Sequence, residues 1–304
     1  MGMLAVLFAG QGAQHEGMGK AMADASPEAR AVFERCDAVR PGTSAQCFEA
    51  PLSELSLTEN TQPCVWAVDV ACARALAARG VEPACVAGFS LGELAALAFA
   101  GALTDEEAFS LVCRRSELMA QACAENPGGM VAVLKLAPEK IEELAKQAGA
   151  WPVNYNSPAQ TVCAGSAEAV ARLGELVREQ GGRAMPLAVS GAFHSPFRAS
   201  ASAGLRSALE GVQLAAPRVP VWANATAEPY PADAAGIADL LSRQVASPVR
   251  WTKTLEGMAA QGVDTFVEVG PGKVLTGLVK RTLPEARALT CETPEDLENV
   301  LAAL

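Results

Sequence analysis

The stretch CVAGFSLGELAALAFAGAL, Cys85–Leu103, carries one charge, Glu93, in nineteen positions, and no other part of the chain restricts the fold as tightly. A membrane-spanning helix needs about 20 mainly apolar residues, and this run nearly supplies them. Gly88, Ser90, Gly92 and Glu93 interrupt its first third, however, and no basic flank anchors its end. The run reads instead as a short buried strand, ACVAGF, a turn, and a helix, LGELAALAFAGAL, that stops near Gly101.

The same alternation continues along the chain. LAVLFAG is a strand, a helical stretch follows over about 17–39, and CVWAVDVACARALAARG makes a helix ending at Gly80. VPVWANAT and TFVEVG supply later strands, and TPEDLENVLAAL a capped final helix. Strands alternating with helices predict an α/β domain with a largely parallel central sheet. The middle differs. After the turn-rich ENPGG come MVAVLKL, PEKIEELAKQAG, WPVNYN, QTVCAG, AEAVARLGELVREQGG and RAMPLAV, in the order βαββαβ of a split, ferredoxin-like unit. The expected architecture is therefore a large α/β-hydrolase-like domain of residues 1–125 and 197–304, with a ferredoxin-like subdomain inserted at 126–196. A chain of 304 residues has room for both.

Composition removes several function classes. The 24 Lys and Arg against 34 Asp and Glu give a formal charge of −10, which argues against nucleic acid or an anionic membrane surface as partner. The nine cysteines are scattered, form no CxxC pair and stand at no metal-ligand spacing to either histidine. No metal is expected, and a reduced compartment fits best. MGMLAVLFAGQG has no basic leader and too short an apolar run for a signal peptide, and Val6 stands where myristoylation wants Ser or Thr. A cytoplasmic protein is expected.

Gly88-Phe89-Ser90-Leu91-Gly92 is G-x-S-x-G between an expected strand and an expected helix, the setting of a nucleophile elbow. The flanking glycines relieve crowding at a strained turn, and the Leu91 N–H is placed to donate to an oxyanion. A serine nucleophile needs a base, and only His15 and His194 are available. His15 lies in a glycine-rich, exposed-looking loop; His194, in SGAFHSPF, has the apolar neighbours that suit a neutral imidazole. A satisfied, half-buried imidazole would read the same way. On the helix TDEEAFSLVCRRSELMAQAC, Arg115 falls on the stripe of Ala108, Leu111, Val112, Leu118, Met119 and Ala122, whereas Arg114 falls on the polar face. A buried guanidinium needs a partner: a structural carboxylate, or the carboxylate of a substrate gripped bidentately. GQGAQ, residues 10–14, lacks the features of a nucleotide-binding loop but is a plausible second source of oxyanion-hole amides.

Taken together, LFAGQGAQ, GFSLGELAALAFAGALT, LVCRRSELM, VNYNSPAQTVCAG, VSGAFHSPF, SRQVASPVRW and FVEVGPGKVLTGLVKR resemble malonyl-CoA:acyl-carrier-protein transacylases, in the family's order and over nearly the whole chain. The resemblance implies that Ser90 is acylated from malonyl-CoA and that His194 takes its proton and later protonates the departing thiolate. It implies that the Gln244 backbone carbonyl orients the imidazole and that Arg115 pairs with the malonyl carboxylate. Gln11 and Leu91 would supply the oxyanion-hole N–H groups, Asn156 would line the site, and Phe193 resembles a malonyl-preferring signature. The implied acceptor is the phosphopantetheine thiol of an acyl carrier protein, a transient partner, with no resident cofactor and a monomeric enzyme. One residue departs from the family's usual GHSLGE: Phe89 stands for His, and its place on the strand should pack it behind the elbow.

Other readings compete. A serine thioesterase or other acyl hydrolase shares G-x-S-x-G, but about 110 residues with two strand candidates follow His194, which fits poorly. Patatin-like lipases use an Asp base, for which no block is evident. A non-catalytic carrier-binding scaffold would leave Ser90 and His194 unused. The same chemistry serving a polyketide or malonate-decarboxylase carrier stays open. Lys273, Lys280 and Arg281 are candidates for docking an acidic carrier, or plain solvated charge.

Overall fold

The computed structural model describes residues 2–189 and 191–304. Among these described residues nine strands form two sheets: β1 Met3–Phe8, β2 Cys85–Gly88, β3 Gly129–Leu134, β4 Trp151–Ser157, β5 Gln160–Gly165, β6 Arg183–Pro186, β7 Val221–Trp222, β8 Val263–Val269 and β9 Arg287–Cys291. The first sheet has the order β7-β2-β1-β8-β9 with every pairing parallel. Central parallel strands are covered on both faces and alternate between two cores. On β1, Leu4, Val6 and Phe8 join one core, shared with Val86 and Val267. Ala5 and Leu7 join the other, with Ala87, Trp222, Trp251 and Phe266. Helices Thr58–Ala78, Gly92–Phe99 and Asp105–Glu125 contribute to the first core; Trp251–Ala260 and Val274–Thr282 contribute to the second.

The second sheet, antiparallel throughout, has the order β4-β5-β3-β6. Helices Pro138–Ala148 and Ala167–Glu179 cover it with a core of its own, from Val131 and Ile141 to Leu173 and Val177. Numbered within the unit, this is order 2-3-1-4, the ferredoxin-like arrangement. The mixed α/β class with a parallel and a separate small antiparallel sheet is thus as expected.

Local details depart from expectation for identifiable reasons. The helical stretch at 17–39 is two helices, Lys20–Ala25 and Pro27–Val39, because the Ser26 side chain caps the Ala29 N–H and Pro27 has no N–H to continue the first. β9 was not expected: it is a half-exposed edge strand opening on Arg287, with no clean alternation. Cys85–Leu103 resolves into β2, a turn and the helix Gly92–Phe99; among the described residues no helix is long and apolar enough to cross a membrane.

The register sets up the site. Phe8 pairs with Gly88 and with Val269, and Ala87 with Trp222. The loops leaving β1, β2, β7 and β8 therefore open at one edge, the carboxyl ends of the parallel strands, where α/β sheets bind ligands.

Candidate active site

Three glycines let the chain make the turn after β2. A Cβ on Gly88 would stand 1.9 Å from the backbone of Gly92, one on Gly92 2.3 Å from the Phe8 carbonyl oxygen, and one on Gly10 2.6 Å from that of Phe89. Ser90 itself sits at φ 54°, the left-handed region that costs a side-chain-bearing residue roughly 1 kcal/mol. The helix Gly92–Phe99 starts immediately after it, so the turn aims Ser90 into the mouth of a cleft at the sheet edge.

His194 meets it from the loop after β6. That loop is held by Arg198, whose Nε donates to the Ala192 carbonyl (3.2 Å) and Nη2 to the Asn126 carbonyl (2.8 Å). His194 is buried at φ 59°, with Nε2 2.7 Å from Ser90 Oγ. Its Nδ1 lies 3.1 Å from two carbonyl oxygens, those of Gln244 and Ser247. Carbonyls only accept, so Nδ1 carries the hydrogen and Nε2 is left as the acceptor for the serine hydroxyl. Burial, and then the charge of Arg115, push the imidazole down to about 4, against the upward pull of the two carbonyls. It is a neutral base at physiological pH.

Arg115 lies on the buried face of its helix, as the phase requires. Its Nη1 donates to Gln62 Oε1 (2.5 Å), and Nη2 to Gln244 Oε1 and Ser90 Oγ (3.1 Å each). Among the described residues no carboxylate stands within 4 Å of it, and its Nε has no partner. Burial lowers the guanidinium to about 10, opposed by Glu93 and Tyr230, so it stays charged at neutral pH.

The cleft they share has a volume of about 120 Å³ and is walled by Gln11, Phe89, Leu91, Met119, Met130, Asn154, Leu187, Val189 and Phe193 around Ser90, Arg115 and His194. That is room for several waters, and so for a short acyl group beside Ser90. Among the described residues neither the Gln11 nor the Leu91 N–H has a partner in the chain.

Gln11, Ser90, Leu91, Arg115, Phe193 and His194 are thus brought together, with Gln244 behind them. Asn156 is not. Its Nδ2 donates to Gln160 (3.0 Å), and Asn154, two residues earlier, lines the cleft instead. Register shifts on both sides of this segment of β4 break the alternation from which a facing residue would be inferred. Phe89 packs its ring edge-on against Trp251, centroids 5.3 Å apart, and borders the cleft. Sequence reasoning passed over Gln62, Asn224, Tyr230 and Ser247. Their contacts span long sequence separations, and Ser247 acts through a carbonyl that any residue would bring.

A family model described as acyl transferase domain matches residues 6–296. A malonyl CoA-acyl carrier protein transacylase of Salmonella typhimurium is 40% identical over 308 residues, 99% of each chain. The solved malonyl CoA-acyl carrier protein transacylase of Clostridium perfringens superposes with a TM-score of 0.95 at 37% identity, covering 99% of this chain and 96% of that one. A malonyl-transacylase solved in complex with a type II PKS acyl-carrier protein gives a TM-score of 0.96 at 36% identity, over 99% and 100%.

Proposed function

The chain belongs to the acyl transferase family, and on that premise we propose that it transfers the malonyl group of malonyl-CoA to the phosphopantetheine thiol of an acyl carrier protein by way of a malonyl-Ser90 ester. The contact that carries this reading is Ser90 Oγ between His194 Nε2 and Arg115 Nη2, at 2.7 and 3.1 Å. A nucleophile, its neutral base and a fixed cation within hydrogen-bond reach suit a substrate whose acyl group ends in a carboxylate.

The steps follow from the donors and acceptors. The Ser90 oxygen attacks the thioester carbon as its proton passes to His194 Nε2, and the imidazolium is held by the Gln244 and Ser247 carbonyls at Nδ1. The tetrahedral oxyanion takes the free N–H groups of Gln11 and Leu91. The C–S bond breaks, and coenzyme A leaves with the proton that His194 returns. The carrier thiol then gives its proton to His194, attacks the ester, and the Ser90 alkoxide recovers that proton. Arg115 holds the malonyl carboxylate throughout, and Phe193 helps to shape the apolar wall opposite.

Thioester-to-ester exchange is close to balanced in energy, so the site has to exclude water more than drive the chemistry; the apolar lining from Met119, Met130, Leu187 and Val189 serves that end. The exchange needs no cofactor, since nucleophile, base and oxyanion donors all come from the chain. We take the enzyme to be a cytoplasmic monomer, and exposed Lys273, just before the helix Val274–Thr282, with Lys280 and Arg281 in its last turn, to attract the acidic carrier.

The test is intact-mass and peptide analysis after incubation with malonyl-CoA. The protein should gain one malonyl group on Ser90, and Ser90→Ala should gain none; labelling of the variant at the wild-type rate would overturn the assignment. Adding carrier separates transfer from hydrolysis: release of malonate that outruns malonyl-carrier formation would favour a thioesterase.

A further inference from the structure

One side chain outside the reacting set grips both ends of the nucleophile turn. Asn224 follows β7, which pairs with β2, so it emerges beside Ser90 at the sheet edge. It is fully buried. Its Oδ1 accepts the Ser90 N–H at 2.7 Å and its Nδ2 donates to the Gly88 carbonyl at 2.7 Å. Only one orientation of the amide does both, because an N–H only donates and a carbonyl only accepts. The asparagine is itself anchored: its N–H donates to Glu93 Oε2 at 3.0 Å, and its carbonyl accepts the Arg250 N–H at 2.9 Å. Glu93 is fixed in turn by the Tyr230 hydroxyl and by Gln244 Nε2.

The turn needs such a grip. Ser90 is at positive φ, and a relaxing backbone would swing Oγ away from His194. Phe89, between the two gripped residues, has its N–H on the Phe8 carbonyl (3.0 Å) and an apolar ring on Trp251, and ring packing does not fix the peptide planes on either side.

We propose that Asn224 is a positioning residue for acyl transfer, clamping the peptide units that flank Phe89 so that Ser90 Oγ stays on the His194 line. The proposal rests on the reading of Ser90 as the nucleophile.

The experiment is single-turnover malonylation of the full chain at saturating malonyl-CoA, with malonyl-CoA affinity and thermal melting measured on the same samples. For Asn224→Ala the acylation rate should fall about 30- to 100-fold, the loss expected when a reacting atom is displaced by roughly 1 Å. Affinity should stay within about twofold, because Arg115 Nη1 keeps its bond to Gln62, which touches neither Asn224 nor the turn. Asn224→Asp gives a second readout. Protonated, its carboxyl offers the same donor and acceptor as the amide; ionised, it has no hydrogen for the Gly88 carbonyl. Its rate relative to wild type should therefore rise at least about fivefold as pH falls from 8 to 5.5, a rescue that simple loss of packing would not show. An Asn224→Ala acylation rate within threefold of wild type overturns the proposal, as does a fall in rate matched by equal falls in affinity and melting temperature. If Asn224→Ala does not fold, an Asn224→Asp rate that stays well below wild type at every pH from 5.5 to 8 overturns it alone, because the protonated carboxyl should restore the clamp. Wild-type protein that takes no malonyl group on Ser90 overturns the underlying reading, and is distinguishable because it precedes any comparison of variants.

Discussion

Lowering the pH tests the environment of His194 directly. In water a histidine titrates near 6.5, so at pH 5.5 only about 9% would be neutral and able to act as a base. In the folded chain, burial and the Arg115 charge bring it to about 4. At pH 5.5 roughly 97% is then neutral, about ten times the unperturbed fraction. The pH dependence of kcat/KM reports the free enzyme, so the quantity to follow is the second-order rate of Ser90 malonylation, quenched and read by intact mass between pH 4.5 and 8. The rate should be flat from 8 to about 5 and at pH 5.5 should lie within ~10% of the plateau. Circular dichroism at each pH confirms that the fold persists. A half-maximal rate near 6.5, with a tenfold loss by 5.5, would mean that the imidazole is hydrated in the resting site and not held down by burial and the Arg115 charge. Arg115→Ala separates the two causes: its limb should move upward yet stay below 6.5, because burial remains.

Arg115→Ala should also lower kcat/KM for malonyl-CoA by about 10- to 100-fold, the worth of a charged hydrogen-bonded contact, and that for acetyl-CoA much less; equal losses would reduce Arg115 to a structural role. Gly88→Ala should destabilise the chain by at least about 3 kcal/mol in urea unfolding, since its Cβ would sit 1.9 Å from Gly92 backbone. Gly12→Ala, where φ is +103° but the space is open, should cost only about 1 kcal/mol, and similar losses for both would discount the crowding. Glu93 is pushed up to about 7 by burial, against three donors and Arg115. Because its folded value lies above its unfolded one, the native state holds the extra proton, and its contribution to stability declines as pH rises through about 4.5 to 7. The stability of wild type minus that of Glu93→Gln should thus drop between pH 5 and 8, by up to about 3 kcal/mol; a flat difference would show that Glu93 is ionised throughout.

Much of this could be read from the chain alone. Period and punctuation carry the parallel sheet and the βαββαβ unit, because burial on both faces of a strand or one face of a helix is written in local spacing. Gly88, Ser90 and Gly92 announce the elbow, and the phase of Arg115 announces a buried cation. Two histidines narrow the base to a choice of two. Tertiary structure decided what depends on orientation between distant segments. It chose Asn154 over Asn156, because an irregularity in β4 rotates the strand and no residue type marks that rotation. It added Ser247 beside Gln244, through a carbonyl that has no letter in the sequence. It gave Glu93, the single charge in Cys85–Leu103, its purpose. On paper that residue is an interruption in an apolar run; in the fold it is the acceptor on which Asn224, Tyr230 and Gln244 converge from more than 130 positions away to hold the turn that presents Ser90.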